Sequence, residues 1–251
     1  MNRSNRLDYL IKELSPSASV PSDTDGKWRL LRALVNVHEP KPISGEFLAE
    51  QDKLLKSMIA EKGITDIADL RPVRKNLYIW RGDITTLKVG AIVNAANSGM
   101  LGCFVPSHAC VDNAIHTFAG VQLRLECAAI MQEQKHPEPA GKAKITSAYN
   151  LPSKYILHTV GPIITGELTQ RDCDLLSACY RSCLELAEQN AVGSVAFCCI
   201  STGEFCFPNE RAAEIAVAAV EKYIDEKRSK VKVIFNVFKE RDFDIYRRIL
   251  G

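Results

Sequence analysis

The stretch 94–119, NAANSGMLGCFVPSHACVDNAIHTFA, decides how this chain is read. An apolar strand pattern, residues 91–96, runs into it and a helix pattern runs out of it. The residues between them form a loop at the strand's C-terminal end. That loop holds Cys103, His108 and Cys110, with four residues between the first pair and one between the second. Thiolate and imidazole ligands suit zinc, and a catalytic zinc keeps three protein ligands and one open position. A structural zinc wants four ligands, and no Cys-x-x-Cys occurs in the chain. Taken alone, the spacing fits a buried cysteine pair beside a surface histidine better than it fits a metal. Gly102 and Pro106 argue for a defined loop and move the reading toward metal.

On the C-terminal side, strands and helices alternate. LYIW (77–80) and AIVNAA (91–96) read as strands, and Asp112–Glu133 reads as one long helix. KITSAYNL (144–151) and KYILHTVGPI (154–163) read as two more strands, followed by a helix over Arg171–Gln189. SVAFCCIS (194–201) is a buried strand, Asn209–Lys227 a helix, VKVIFNVF (231–238) a buried strand, and a last helix starts at Arg241. Apolar strands without alternation, joined by helices, indicate a sheet covered on both faces. On the N-terminal side, residues 1–75 read as helical. Leu7, Leu10, Ile11 and Leu14 share one face, Asp25 caps a second helix through Trp28, Leu31, Leu34 and Val35, and Ser44 opens a third that Gly63 ends. The expected division is therefore a helical extension, 1–75, on an α/β domain, 76–251.

Length and composition set bounds. The 251 residues suffice for one well-buried domain with an extension. Apolar residues make up 46% and charged residues 25%, the mix of a soluble globular protein. A net charge of +2 gives no field that implies nucleic acid. No apolar run reaches the roughly 18 residues of a membrane span, and the amphipathic start MNRSNRLDYLIKEL has no signal-peptide core. The expectation is a cytoplasmic protein with neither nucleic acid nor membrane as partner. Its nine cysteines are then mostly small buried hydrophobes rather than disulfides.

Three further stretches offer chemistry. Gly82-Asp83-Ile84 follows the first strand, where Asp83 can accept an amine or a ribose hydroxyl, or simply cap the turn. Asn94 and Asn97 close the second strand, at the crevice where α/β sheets bind ligands, and either can instead satisfy turn backbone. Ser201-Thr202-Gly203 joins a buried strand to a helix, a setting for phosphate on backbone amides or for an ordinary turn. It is neither a Walker loop nor a GxGxxG fingerprint.

Together these segments resemble the macrodomain family, an ADP-ribose-binding fold. The matching motifs are GDIT at 82–85, IVNAAN at 92–97, VDNAIH at 111–116 and STGEFCFP at 201–208, in the family's order. GCFVPSHAC (102–110) stands where many hydrolytic members have a glycine run, and resembles the zinc-dependent, MacroD-like branch that removes ADP-ribose from proteins. PISGEFLAEQD and EKGITDIADL in the extension resemble that branch too. Cys206 departs from the glycine usual in the phosphate loop. The resemblance implies a three-layer α/β/α fold with a mixed central sheet. It implies Asp83 at the adenine amine with Ile84 beside the ring, and Asn97 at the distal ribose. Ser201, Thr202, Gly203, Glu204 and Phe205 would wrap the diphosphate and that ribose. Cys103, His108 and Cys110 would hold one zinc per chain, with Asp112 as the catalytic carboxylate near the anomeric carbon. His116 is expected to pack or hydrogen-bond. The implied activity is hydrolysis of mono-ADP-ribose from Asp or Glu side chains, reversing sirtuin-type modification, with a lipoyl carrier protein as the acceptor the resemblance suggests. Two rivals use the same cleft: a reader that binds ADP-ribose without cutting it, and a deacetylase of free O-acetyl-ADP-ribose.

Overall fold

Three helices open the chain: α1 (Arg3–Leu14), α2 (Thr24–Val37) and α3 (Gly45–Lys62). Each starts on a side-chain cap, since Asn2, Asp23 and Ser44 accept from the backbone N–H of Asn5, Gly26 and Phe47. Asp23, not Asp25, caps α2; Asp25 falls in its first turn, where a carboxylate still favours the helix N-terminus. The computed structural model describes residues 1–251. The helices share a small core of Leu7, Leu10, Ile11, Leu31, Phe47 and Leu54, which Val121 joins from the rest of the chain.

The remaining elements are β1 (Thr65–Asp66), β2 (Leu77–Arg81), β3 (Leu87–Lys88), β4 (Ala91–Ala96), α4 (Val111–Ala119), α5 (Val121–Gln134), β5 (Ala143–Ser147), β6 (Tyr155–Val160), α6 (Gln170–Gln189), β7 (Ser194–Phe197), α7 (Asn209–Lys227), β8 (Lys232–Val237) and α8 (Glu240–Leu250). Six strands form one sheet in the order β2-β8-β7-β4-β6-β5. Only β5 runs antiparallel to its neighbour, so the sheet is mixed, as expected. β1 and β3 make a separate short parallel pair that the sequence pattern does not reveal. The central strands are buried along nearly their whole length, which is why they read as continuous apolar runs.

The long helix expected over Asp112–Glu133 is two helices. Gly120 breaks it at φ +101, a backbone state that L-residues rarely adopt. No helix is long and apolar enough to cross a membrane. Five parallel strands present their C-terminal ends to one edge, and the loops after β2, β4, β6, β7 and β8 gather there.

Candidate active site

The loop between β4 and α4 brings its three donors together. The ligand atoms of Cys103, His108 and Cys110 lie within 4.8 Å of one another, and all three residues are half-buried. Cys103 Sγ is 3.5 Å from His108 Nδ1. A tetrahedral zinc with Zn–S of about 2.3 Å and Zn–N of about 2.05 Å needs an S···N separation of about 3.6 Å. The donor set and this spacing fit zinc. Burial pushes the Cys110 thiol up to about 12, with the Asn113 N–H opposing and Cys103 adding to the rise; a bound cation would favour the thiolate forms. Gly102 starts the loop at φ +80, where a Cβ would lie 2.7 Å from His116 Cγ; the turn therefore needs glycine. Cys110 also caps α4, accepting from Asn113 N at 3.4 Å.

Asn97 and Asp112 stand beside this loop. Asn97 Nδ2 donates to Gly102 O at 3.0 Å and lies 3.4 Å from Asp112 Oδ2. Asp112 is only 5% exposed. Its other oxygen accepts from Asn94 Nδ2 at 2.8 Å, and burial, partly offset by Asn94, raises its pKa to about 6. Asn94 also faces His158 Nδ1 at 3.2 Å, and His158 Nε2 meets Thr146 Oγ1 at 2.8 Å. His116 packs beneath, with Nε2 3.6 Å from Asp112 Oδ1, in keeping with a packing role. Sequence reasoning missed the Asn94–His158–Thr146 chain. The only signal was three polar residues inside strand patterns.

The loop after β7 turns tightly. Ser201 and Cys206 both sit at positive φ, +64 and +55, a backbone state that glycine adopts without cost, and Cys206 is exposed. Phe207 N bonds Ser201 O, Cys206 N bonds Gly203 O, and Thr202 Oγ1 bonds Cys199 O at 3.0 Å. Gly203 and Glu204 are exposed, and Phe205 packs on Ala96, Met100 and Val160 at the ends of β4 and β6. Glu204 Oε1 reaches to 3.5 Å from His108 Nε2, so this loop touches the metal-type loop.

Asp83 lies apart from these groups, after β2 at the sheet's far edge. It caps its turn, accepting from Thr85 N at 3.0 Å and Thr85 Oγ1 at 2.6 Å, while a third of its side chain stays exposed. Ile84 is 4% exposed and belongs to the main core. β2 and β4 are three strand spacings apart, about 14 Å. Phe238 follows β8, next to Asp83's turn, because Gly82 N bonds Val237 O at 3.1 Å. It is 76% exposed, at the end of an apolar run that gave no sign of its exposure.

An α/β sheet that gathers its polar loop residues at the C-terminal edge of its parallel strands is the class defined by this arrangement. The Macro domain family signature matches residues 93–216. A protein-ADP-ribose hydrolase of Treponema medium is 57% identical over 252 residues, 98% of this chain and 96% of that protein. One from Staphylococcus aureus is 50% identical, over 96% and 94% respectively. The macrodomain of Trypanosoma brucei in complex with ADP-ribose superposes with a TM-score of 0.68 at 30% identity, covering 94% of this chain and 98% of that one. The chain belongs to the macrodomain family.

Proposed function

We propose that the chain is a zinc-dependent hydrolase that removes mono-ADP-ribose from modified proteins, acting on ester links to Asp or Glu. The order of groups along the sheet edge carries the reading. A carboxylate follows β2, a tight turn follows β7, and three zinc-type donors follow β4. That order and the span of about 14 Å suit an adenine, a diphosphate and a distal ribose in turn. The relatives that are named protein-ADP-ribose hydrolase support the activity.

In this reading Asp83 accepts from the adenine amine beside Ile84. Ser201, Thr202, Gly203, Glu204 and Phe205 wrap the diphosphate, chiefly through backbone amides. Asn97 holds a distal-ribose hydroxyl, and Cys103, His108 and Cys110 hold zinc next to it. Bound zinc supplies either a polarising Lewis acid or a water of lowered pKa. Asp112, acting beside Asn97, orients the attacking water. The bond between the ribose carbon and the acceptor carboxylate oxygen breaks: the water's hydroxyl ends on the ribose, giving free ADP-ribose, and its other proton is released as the acceptor leaves as a free carboxylate. Residues 1–75 form a helical extension to a macrodomain over 76–251. Nine free cysteines suit a cytoplasmic protein. A lipoyl carrier protein modified by a sirtuin-type transferase is the acceptor suggested by family resemblance.

The burial of Asp112 favours one rival, a reader that binds ADP-ribose without turnover. Metal analysis paired with turnover of a carboxylate-linked mono-ADP-ribosylated protein separates the two. About one zinc per chain with metal-dependent release of ADP-ribose is the expected result. Undiminished turnover in a metal-free preparation sinks the zinc mechanism, and tight binding with no turnover by the zinc-loaded chain favours the reader.

A further inference from the structure

The loop carrying Cys103, His108 and Cys110 is held from outside. Its one internal backbone hydrogen bond runs from His108 N to Val105 O. The other fastenings come from elsewhere in the chain. Asn113 Nδ2 donates to Val105 O at 3.0 Å, Ser107 N donates to Asn36 Oδ1 at 2.8 Å, and Arg32 Nη2 donates to His108 O at 3.1 Å. Asn36 and Arg32 both lie on α2, in the N-terminal extension.

Their partners tie the loop to the helix that Cys110 caps. Asn36 is 1% exposed, and its Nδ2 donates to Thr117 Oγ1 of α4 at 2.9 Å. One amide therefore spans loop and helix. Arg32 Nη2 also donates to Asn113 Oδ1 at 2.9 Å, and Asn113 N in turn faces Cys110 Sγ. Arg124 of α5 closes the frame, donating to Leu101 O just before the loop and to Val35 O near the end of α2. Ser107 has φ +55, a state that a non-glycine residue seldom holds without outside support.

We propose that Asn36 and Arg32 are positioning residues for the metal: α2 presets the loop so that its three donors converge before an ion arrives. The inference rests on the zinc reading above. Preset donors bind more tightly because the ion need not order the loop itself. This gives the helical extension a task at the site without contact with any substrate.

The test uses the full-length chain, zinc alone as ligand, and competition with a chromophoric chelator. Asn36→Leu and Arg32→Met are expected to weaken zinc binding about 10- to 100-fold, the usual effect of losing an outer-shell partner. Asn36→Asp keeps an acceptor for Ser107 N–H and should recover most of the loss. Deuterium exchange across 103–110 should quicken in the first two variants, while ADP-ribose affinity stays near that of the parent. If Asn36→Leu fails to fold, Arg32→Met, altered at a half-buried side chain, carries the test. Folded variants with parental zinc affinity, even at lowered thermal stability, overturn the inference and leave the zinc reading standing. A parent chain that takes up no zinc overturns both.

Discussion

Lys62 Nζ, at the end of α3, lies 2.8 Å from Asp83 Oδ2 and 3.5 Å from the centre of the Phe118 ring. The extension thus grips one oxygen of the carboxylate while Thr85 takes the other. Burial pulls Asp83 up, but the Lys62 and Thr85 hydrogen bonds outweigh it and hold the carboxyl below its ordinary value. Asp83 therefore stays ionised and oriented, as an acceptor for an exocyclic amine must be. Losing a hydrogen bond to a charged acceptor costs about 1.5–3 kcal/mol. Asp83→Ala should weaken ADP-ribose binding by roughly 10- to 100-fold and leave zinc content intact. Calorimetry with ADP-ribose checks this, and unchanged affinity refutes the adenine assignment.

Phe238 supplies a second test at the same end. Phe238 presents an exposed aromatic ring one residue past β8, beside the turn that holds Asp83, where it can meet a base held at that carboxylate. Stacking of a base on an aromatic side chain is worth about 1–3 kcal/mol. Phe238→Ala should raise the dissociation constant for ADP-ribose correspondingly and leave the affinity for ribose 5-phosphate unaltered. Equal losses for both ligands would mean that the ring does not meet the base.

Much of this site was legible in the sequence because its groups sit close together in the chain. Cys103, His108 and Cys110 lie on one loop, and Ser201 to Phe205 form one turn. The strands were legible because burial on both faces leaves unbroken apolar runs. What escaped notice depends on distance or on disguise. Asn36 meets Ser107 from 71 positions away, and nothing local marks either residue. Asn94 is marked by its place near a strand end, but its partners His158 and Thr146 sit inside strand patterns, where a buried polar residue looks like an exposed one. Asp23 and Asp25 are both plausible caps, and backbone direction rather than residue type decides between them. Gly120 inside a helical pattern gives no warning of whether the helix tolerates it or breaks there.

Metal removal separates chemistry from binding. Cys103→Ala or His108→Ala removes one of three converging donors. Either change should abolish zinc retention and hydrolysis, with ADP-ribose affinity within a few-fold of the parent, since the Asp83 turn lies about 14 Å away. Dialysis against a chelator should reproduce the loss in the parent chain, and zinc should restore it there but not in the variants. Restored turnover in Cys103→Ala would show that Cys103 is not a required ligand.

His158 makes a prediction about acid stability. Burial drives its pKa down to about 3, and His116 is lowered well below its ordinary value by burial, with His158 and Arg124 adding to the effect. In the unfolded chain both titrate near 6.5. Between about pH 6.5 and pH 3 the unfolded state therefore binds more protons at these two positions, and the folded state loses stability as the pH falls. Asp112 acts in the opposite direction: its raised folded pKa, about 6, adds stability as the pH falls from there toward its unfolded value. Asp112 therefore offsets part of the histidines' effect above its unfolded pKa. Glutamine at 158 can accept from Asn94 and donate to Thr146 without an ionisable ring. Urea unfolding of the parent and of His158→Gln at a series of pH values isolates the histidine, because both proteins carry the same loop and the same Asp112. The variant should show a shallower decline below pH 6.5, and parallel curves would mean that His158 is not held neutral by its burial.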